Sequence, residues 1–371
     1  MLKVLYVSNN TGFCRFYRCQ SPAQYLSGSG LYSIQFVDPV DQLVLNKCCK
    51  WADVIVFQHG VSSKYISILC KFIRDNKLHQ LVVCDYDDNL HESSPMNIGA
   101  YHHWGIKEIM SGDKHVWKNG KRKFNIKENI DRRDKLDKAN ADVDLITTTT
   151  SELAEAFVGI NDKVEVLPNY LNPSIMPTHK NTSRGDKIRI LWQGGDSHFA
   201  DLMLVMPALK KIKEVYGDKV EFVLWGISYR SVGKDIDATF MPWTTPELFF
   251  PKFSEQKFDI GIIPIEDNKF NRAKSNIKWM EYSYYNIPSV VQNNLPYKQH
   301  ITNGVHGMLF DTNQEMFNAI NDLIKDPIKR INLASAARDK VMKDYNLETK
   351  FQMWHSVYDK HLQDKIKSYS T

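Results

Sequence analysis

The 371-residue sequence has no apolar run of the ~18 to 20 residues that a membrane-spanning helix requires. It also lacks a signal-peptide pattern at its start and any Cys-x-x-Cys pair. All six cysteines lie in the first quarter of the chain, several of them within apolar runs, which favours reduced core thiols over a disulfide framework or a zinc site. We therefore expect a cytoplasmic protein without a transmembrane segment.

A strong net charge is missing as well, since the formal charge is +5. The excess is local, because the window 102–127 alone holds six Lys and one Arg against Glu108 and Asp113. Its centre is the basic loop WKNGKRKFN, with an aromatic residue near each end. Such a loop is more often a solvated surface than a polyanion-binding one, and both interpretations stay open.

What the sequence does contain is an alternation of short apolar runs with longer amphipathic segments. Strand-like runs that are apolar throughout indicate parallel sheets covered by helices on both faces. The first series comprises 3–8, 53–58, 81–86 and 143–150, and the second comprises 188–195, 220–226, 258–265, 288–293 and 306–310.

These two series predict an α/β protein with two Rossmann-like, doubly wound parallel-sheet domains that face a cleft. The expected parts are a first domain at 1–170 with a basic insert at about 100–138, a second domain at 187–345, and a helix at 346–371 that crosses back to the first domain. The polar segment 169–187 is expected to link the domains. Ligands bind outside the carboxyl ends of such strands, so the cleft is the predicted site.

The segment 258–291 carries the clearest chemical pattern. A predicted strand is followed by a polar loop and by a helix with Lys274, Lys278 and Glu281. The two lysines are four residues apart, so they share a helical face and can present two cations to one diphosphate. Glu281 lies close to that face and can accept hydrogen bonds from a ribose diol. The alternative is an exposed helix whose lysines are only solvated.

A second phosphate-binding element is the pair Gly194 and Gly195, which directly follows a predicted strand. Residues without a side chain let the backbone approach phosphate oxygens closely. Backbone N–H groups at a helix start and nearby cations would stabilise the charge of a departing nucleoside diphosphate. Trp243, in the loop after another short predicted strand, either frames a base or belongs to the core.

Three segments resemble the GT-B glycosyltransferases, of a type common in bacteria and phages, and most closely their family 4 branch. They are NNTGFCRFYRCQSPAQYL, CDYDDNLHESSP and ILWQGGDSHFADLMLVMPAL, and the resemblance covers most of the chain. It implies transfer of a sugar from a nucleotide-diphosphate sugar, such as a UDP-sugar, with retention and without a metal ion or other cofactor. The expected donor residues are Gly194, Gly195, Asp196, Ser197, His198, Trp243, Asn271, Lys274, Ser275, Lys278 and Glu281, with Glu281 on the donor ribose.

The sequence departs from this family in two places. Many members carry a second glutamate eight residues before the ribose-binding one, and here that position is Ala273. We expect Glu266, Asp267, Asn268 or Asn271 to replace it. Basic residues that often follow the glycine pair are also missing, so Lys274 and Lys278 carry more of the phosphate role.

The stretch CDYDDNLH concentrates charge at the end of a predicted strand. Asp85 and Asp87, separated by one residue, are spaced to hold a divalent cation, but a GT-B enzyme needs none there. We therefore expect Asp87 or Asp88 to face the cleft, where either would orient an acceptor hydroxyl or stabilise positive charge at the sugar carbon. His91 is a candidate proton relay, since its ordinary pKa is ~6.5. The alternative is a capped turn with solvated carboxylates.

The acceptor-side candidates are Asn10, Gly12, Arg15 and Arg18, which follow the first predicted strand. The arginines either bind an anionic acceptor or anchor a helix. The acceptor is a glycan, a lipid-linked sugar, a protein, or a hydroxymethylated base in double-stranded DNA, which would have to be flipped out of the duplex. The DNA option is included because IKWME resembles the matching segment of T-even phage DNA glucosyltransferases. A nucleotide-sugar epimerase and a non-catalytic nucleotide-sugar binding protein remain alternative functions.

Overall fold

The computed structural model describes residues 1–9, 12–39, 42–178 and 186–370. In chain order the strands are β1 (Leu2–Val7), β2 (Tyr32–Val37), β3 (Val54–Gln58), β4 (Leu81–Tyr86), β5 (Ile109–Ser111), β6 (Lys114–Trp117), β7 (Leu145–Thr148), β8 (Val164–Val166), β9 (Ile188–Gln193), β10 (Val220–Trp225), β11 (Thr239–Met241), β12 (Ile260–Ile263), β13 (Ser289–Gln292) and β14 (Met308–Phe310).

The α-helices alternate with these strands. They are α1 (Phe13–Arg15), α2 (Ser21–Gly28), α3 (Gln42–Trp51), α4 (Ser63–Asp75), α5 (Ile98–Trp104), α6 (Ile126–Asp142), α7 (Ser151–Ala154), α8 (Phe199–Tyr216), α9 (Pro246–Glu255), α10 (Lys269–Arg272), α11 (Ile277–Tyr284), α12 (Asn313–Lys325), α13 (Pro327–Asp344), α14 (Leu347–Lys350) and α15 (Gln352–Ser368). A π-helical stretch, Phe16–Gln20, joins α1 to α2.

Two six-stranded parallel sheets dominate the structure, as the sequence predicts. Their strand orders are β2-β1-β3-β4-β7-β8 and β11-β10-β9-β12-β13-β14. Both orders reverse direction beside the first strand of the sheet, and this switch point is where doubly wound sheets bind ligands. The sequence analysis did not name β2 and β8 as strands. Both lie at an edge of the first sheet and carry exposed or half-buried residues, so they lack the continuous apolar signal of the central strands.

The central strands are covered on both faces because their side chains alternate. In β1, Leu5 and Val7 pack into one core beneath α4, whereas Val4 and Tyr6 pack into the opposite core. Helix α4 contributes Ile66, Cys70 and Ile73, which are spaced to share one helical face. All six cysteines are free thiols, and four of them are buried.

The last helix, α15, crosses back onto the first sheet. Trp354 and Tyr358 are buried in the core that contains β1 and β4 residues. Near the end of the helix, the Lys365 ammonium donates to the Gln80 carbonyl at 2.7 Å and to an Asp144 carboxylate oxygen at 2.6 Å. The C-terminal helix therefore packs against the amino-terminal sheet and is hydrogen-bonded to it. This confirms the predicted helix that crosses back to the first domain.

A small subdomain is inserted between β4 and β7. It comprises α5, the antiparallel β5–β6 hairpin and α6, and it has its own core of Tyr101, Trp117 and Phe124. The basic side chains of the WKNGKRKFN loop are exposed on its surface. Across the described ranges, no helix is both long and apolar enough to cross a membrane.

Candidate active site

The carboxyl ends of the two sheets face each other across a cavity of about 420 Å³. The first domain contributes seven lining residues, which are Gly12, Phe13, Cys14, Tyr17, Asp87, Asp88 and Asn169. The second domain contributes Gln193, Gly194, Gly195, Ser197, His198, Trp225, Gly226, Trp243, Thr244, Phe249, Lys274, Ser275, Ile277, Lys278, Glu281 and Tyr297. Most of the residues predicted for the donor site therefore meet in one cavity.

Glu281 lies deep in this cavity and is 3% exposed. Its carboxylate accepts a hydrogen bond of 2.6 Å from the Tyr17 hydroxyl, which belongs to the first domain, and another from the Gln193 amide. Burial raises the pKa of Glu281 to about 7, although both hydrogen bonds favour its ionised form. A buried carboxylate of this kind can accept hydrogen bonds from ligand hydroxyl groups when these displace its present donors.

The two lysines predicted to bind phosphate both line the cavity, but they do not share a helix as expected. Helix α11 begins at Ile277, so it carries Lys278 and Glu281, whereas Lys274 lies in the turn between α10 and α11. Burial lowers the pKa of Lys278 to about 8, and the charge on Lys274 acts in the same direction. For Lys274 the effect of burial is outweighed by Asp88, whose carboxylate lies 3.2 Å from the ammonium, and the pKa is raised. One wall of the cavity thus holds two closely placed ammonium groups that an anionic ligand would stabilise.

Two glycine loops bring backbone close to backbone beside these lysines. The Gly194 N–H donates to the Trp225 carbonyl at 2.9 Å. Gly226 has φ +101°, and a Cβ at this position would lie 2.9 Å from the Gly194 carbonyl oxygen, so only glycine fits. A Cβ at Gly195 would meet no atom within 4 Å, which leaves its backbone open to the cavity.

His198 is held in one orientation by Asp201, with 2.7 Å between the His198 Nδ1 and the carboxylate. Burial and the charge on Lys278 lower the pKa of His198 to about 4, so the ring is neutral at neutral pH. Nδ1–H donates to Asp201, which leaves Nε2 as an acceptor for a hydroxyl group. His198 is not one of the four residues expected to replace the missing glutamate, but it lines the cavity from the second domain.

The aspartates at the end of β4 and just after it have separate roles. Asp85 is buried and accepts hydrogen bonds from Arg18 Nε at 2.9 Å, Arg18 Nη2 at 2.6 Å and Thr147 Oγ1 at 2.7 Å. Asp87 and Asp88 line the cavity instead. Asp85 and Asp87 therefore do not form a paired metal site. Asp85 has a structural role as the buried partner of Arg18.

Asp87 is paired with His59, which follows β3 and was not singled out from the sequence. Burial disfavours the charged imidazole, but Asp87 outweighs this and raises the pKa of His59 to about 9. The same ion pair holds the pKa of Asp87 well below its usual range. A permanently ionised carboxylate thus faces the cavity at neutral pH.

Several predicted residues lie elsewhere. Arg18 is buried against Asp85, and Arg15 places its guanidinium 5.2 Å from the Phe36 ring centroid, so both fit the helix-anchoring alternative and neither lines the cavity. His91 lies 3.5 Å from Asp137 on α6, and burial lowers its pKa, so it is not positioned as a relay in the cleft. Asn10 falls outside the described residues.

On the second domain, Asp196 and Asn271 support loops rather than line the cavity. Asp196 accepts from the Ser228 N–H at 2.7 Å, and the Asn271 amide donates to Asp201 at 3.0 Å. Ala273 is buried against the first domain's core, where its carbonyl accepts from Thr150 at 2.9 Å. None of its four expected replacements lines the cavity.

Among the described residues, one group has the side chains to hold a metal ion. The ligand atoms of Cys14, His59 and Asp87 all lie within 4.8 Å of one another. A thiolate, an imidazole and a carboxylate form a donor set that suits zinc. In the structure, however, the imidazole and the carboxylate already form an ion pair, which satisfies both without a cation.

Tyr17, Gln193 and His59 are the residues that sequence reasoning missed. Tyr17 and Glu281 are 264 residues apart, and no local pattern connects them. Gln193 is the last residue of β9, and His59 directly follows β3. The rule that ligands bind at strand ends was the available signal for these two.

The architecture and the cavity define a GT-B fold, which confirms the expected fold class. The chain is similar to sucrose-phosphate synthase from Thermosynechococcus elongatus, with a TM-score of 0.65, 11% identity, and 97% of this chain and 99% of that one covered. It is also similar to Anabaena HepE in complex with UDP and glucose, with a TM-score of 0.63, 14% identity, and 97% and 100% covered.

A glycosyltransferase from Rickettsia africae gives a TM-score of 0.62, with 12% identity and 97% and 98% of the two chains covered. In sequence, residues 206–356 match the family described as Glycosyl transferase-like, a range that includes Lys274, Lys278 and Glu281. No curated protein matches the chain in sequence. The resemblance drawn from the sequence is thus confirmed for the fold and for the second-domain segment.

Binding of a nucleotide sugar in this cavity should depend on pH through Glu281 and Lys278. A ribose diol donates to an ionised carboxylate, and a diphosphate attracts a charged ammonium. Since the pKa of Glu281 is raised to about 7 and that of Lys278 is lowered to about 8, affinity should rise as pH increases through about 7 and fall above about 8. Calorimetric titration with UDP-glucose across this range measures the profile, because its diphosphate does not titrate there.

The matched variant is Glu281→Gln, which should bind more weakly and lose the rise on the acidic side while keeping the fall on the basic side. Ordinary carboxyl and lysine pKa values lie outside the range of about pH 6 to 9. An affinity of the natural protein that stays constant across this range would therefore contradict the assignment.

Proposed function

We propose that the protein is a glycosyltransferase that moves a sugar from a nucleotide-diphosphate sugar to an acceptor hydroxyl. The observation that carries this proposal is the joint placement of Glu281, Lys274 and Lys278 on one wall of the cleft of a GT-B fold. One protein of similar fold supports a uridine nucleotide, because Anabaena HepE was solved with UDP and with UDP-glucose.

In the proposed donor complex, the ribose hydroxyls donate to Glu281 and displace the Tyr17 hydroxyl. The diphosphate lies between the ammonium groups of Lys274 and Lys278 and the open backbone at Gly195. These groups are fixed before the reaction, so they stabilise the negative charge that develops as the nucleoside diphosphate departs. Trp243, half exposed at the cavity wall, is placed to cover the base.

The transferred sugar would then extend toward the first domain. His198 Nε2 can accept a hydrogen bond from a hydroxyl of this sugar. It would thereby replace the glutamate that many related enzymes carry at the position of Ala273. The ionised Asp87 faces the region where positive charge develops on the anomeric carbon, and His59 holds that carboxylate in place. Asp87 and Asp88 are thus proposed to stabilise this charge and to orient the acceptor.

We propose transfer with retention and without a metal ion. The bond between the anomeric carbon and the phosphate oxygen breaks, and a bond to the acceptor oxygen forms on the same face. The acceptor proton passes to the departing phosphate oxygen, so no side-chain base is required. Lys274, Lys278 and backbone N–H groups take the place of the cation that other glycosyltransferases use.

The acceptor is proposed to be a glycan or a lipid-linked sugar bound by the first domain. A hydroxymethylated base in double-stranded DNA is the second candidate. It draws support from the exposed basic side chains of the inserted subdomain, Lys118, Lys121, Arg122 and Lys123.

Replacing the proposed ribose ligand tests the donor site. Glu281→Ala should raise the dissociation constant for UDP at least about tenfold, because a hydrogen bond to a charged group is typically worth ~1.5 to 3 kcal/mol. Calorimetry measures the affinity, and thermal melting confirms that the variant is folded. Glu214→Ala, which removes an exposed carboxylate from α8, is the matched control and should bind as the natural protein does. Unchanged affinity in folded Glu281→Ala would remove this residue from the site.

Chelation tests the proposed independence from metal. Turnover of UDP-sugar should survive dialysis against EDTA, since the proposed phosphate ligands are protein groups. If activity disappears and Mn²⁺, Mg²⁺ or Zn²⁺ restores it, the cluster of Cys14, His59 and Asp87 becomes the first candidate for the metal site. Cys14→Ser would then lose the restored activity.

Neutralising Lys118, Lys121, Arg122 and Lys123 to Gln tests the two acceptor classes. For a glycan acceptor, we expect donor binding and transfer to stay unchanged, because this loop lies on the inserted subdomain away from the cleft. For a DNA acceptor, duplex binding should weaken and the slope of log affinity against log salt should flatten by ~0.9 for each lost contact. A natural protein with no duplex affinity at low salt would exclude the DNA candidate.

A further inference from the structure

A second, larger cavity of about 780 Å³ lies in the first domain. It opens where β3 ends and α4 begins, and the inserted subdomain closes its far side with Trp104 and Arg132. His59 lines this cavity, whereas its partner Asp87 lines the donor cavity. The His59–Asp87 ion pair is therefore the wall between the two cavities, and a molecule in the second cavity lies next to the donor site.

The electrostatic character of the second cavity is positive. Lys64 and Arg132 contribute cationic side chains, and within the described part of the chain no Asp or Glu lines the cavity. Lys64 is exposed and takes part in no ion pair among the described residues. Arg132 is oriented by hydrogen bonds to the His103 carbonyl and the Asn129 amide oxygen. The ammonium of Lys64 is thus free to bind a ligand.

The backbone adds to this character. Helix α4 has 13 residues, and no side chain caps its first turn. The loop that leads into it has positive φ at His59, Gly60 and Ser62. The N–H groups of His59 and Val61 already donate to the Asp85 and Gln58 carbonyls, whereas among the described residues those of Ser63 and Lys64, at the start of α4, have no acceptor. Uncapped N–H groups at the start of a helix attract anions through both hydrogen bonding and the helix dipole.

An independent observation points to a ligand in the same place. Gln58, the last residue of β3, is 3% exposed and lines the cavity. Its amide oxygen accepts a hydrogen bond of 2.5 Å from the Ser8 hydroxyl, which fixes the orientation of the amide. Its Nε2 is buried and has no partner among the described residues. A buried donor without a partner costs free energy unless a ligand or water accepts its hydrogen bond.

We propose that the second cavity binds an anionic group, a phosphate or a carboxylate, on the acceptor. The oxygens of this group would accept hydrogen bonds from Gln58 Nε2, from the first N–H groups of α4 and from Lys64. The rings of Tyr65 and Trp104 provide apolar surface for the rest of the acceptor. This inference rests on the proposed function, because it names the class of acceptor for the same reaction.

The proposal is tested by direct binding, so that it does not depend on transfer activity. The probes are inorganic phosphate, glucose 6-phosphate and glucuronate, titrated by calorimetry with UDP present at saturation to block the donor cavity. Glucose is the uncharged control. We expect glucose 6-phosphate or glucuronate to bind at least about tenfold more tightly than glucose, since charge-assisted hydrogen bonds are the stronger ones. The phosphate and carboxylate probes identify which of the two anions the cavity prefers.

Two variants locate the binding. Lys64→Ala removes the free ammonium, and Gln58→Glu keeps the acceptor for Ser8 while replacing the unpartnered donor with an oxygen. Each should weaken binding of the preferred anion at least about fivefold. Lys71→Ala is the control, because it removes an exposed ammonium from the same helix, where Lys71 pairs with Asp75 at 2.8 Å. It should leave anion binding unchanged.

Three results would overturn the proposal. The first is that the anions bind the natural protein no better than glucose does. The second is that Lys64→Ala and folded Gln58→Glu bind the anion as tightly as the natural protein. The third is that anion binding is lost only when the basic loop is neutralised. The last result would assign the anion to the inserted subdomain and favour DNA. Failure of UDP to bind would reject the proposed donor site, whereas the anion titration could still be read without UDP.

Discussion

The buried ion pair between Arg18 and Asp85 is the constraint on which the first-domain wall of the cleft depends. The arginine also donates to the Leu167 carbonyl at 2.5 Å and to the Asn169 side chain at 3.1 Å, so one guanidinium joins the helical segment after β1, the end of β4 and the chain after β8. Removing one partner would leave an uncompensated buried charge, a change that typically costs ~3 to 5 kcal/mol. Tyr17 precedes this arginine, so the same anchor directs its hydroxyl toward the second domain.

Most charged groups of the cleft have partners within the chain. Lys274 is paired with Asp88, Glu281 accepts from Tyr17 and Gln193, and Asp87 is paired with His59. The Lys274–Asp88 and Tyr17–Glu281 contacts cross between the domains. A donor would exchange these contacts for its own ribose and diphosphate groups, so part of its binding free energy is spent on breaking them. The His59–Asp87 pair lies within the first domain and can persist in the complex.

The central strands and the helix with Lys278 and Glu281 were predictable because their signals are local. An apolar run marks β4, and Lys278 and Glu281 follow helical spacing, so residues close in sequence define both. The helical spacing of Lys274 was misleading, because this residue lies in the turn before α11. The positions of Arg18, Tyr17 and His59 were not predictable in this way. Their partners lie on other strands or on the other domain, and the same arginine in a sequence fits an anion site as well as a buried anchor. Only the three-dimensional pairing separates these two uses.

The distribution of charge across the two cavities explains how substrates would be oriented relative to each other. Lys274 and Lys278, the proposed cations for the diphosphate, lie on the second domain, and Lys64 lines the second cavity together with His59. The carboxylate of Asp87 stands between them. An acceptor and a donor that each carry an anion would therefore be held by their outer ends, and both anions would be kept away from Asp87. In this arrangement the reacting hydroxyl and anomeric carbon would lie beside Asp87, which is proposed to stabilise the developing positive charge.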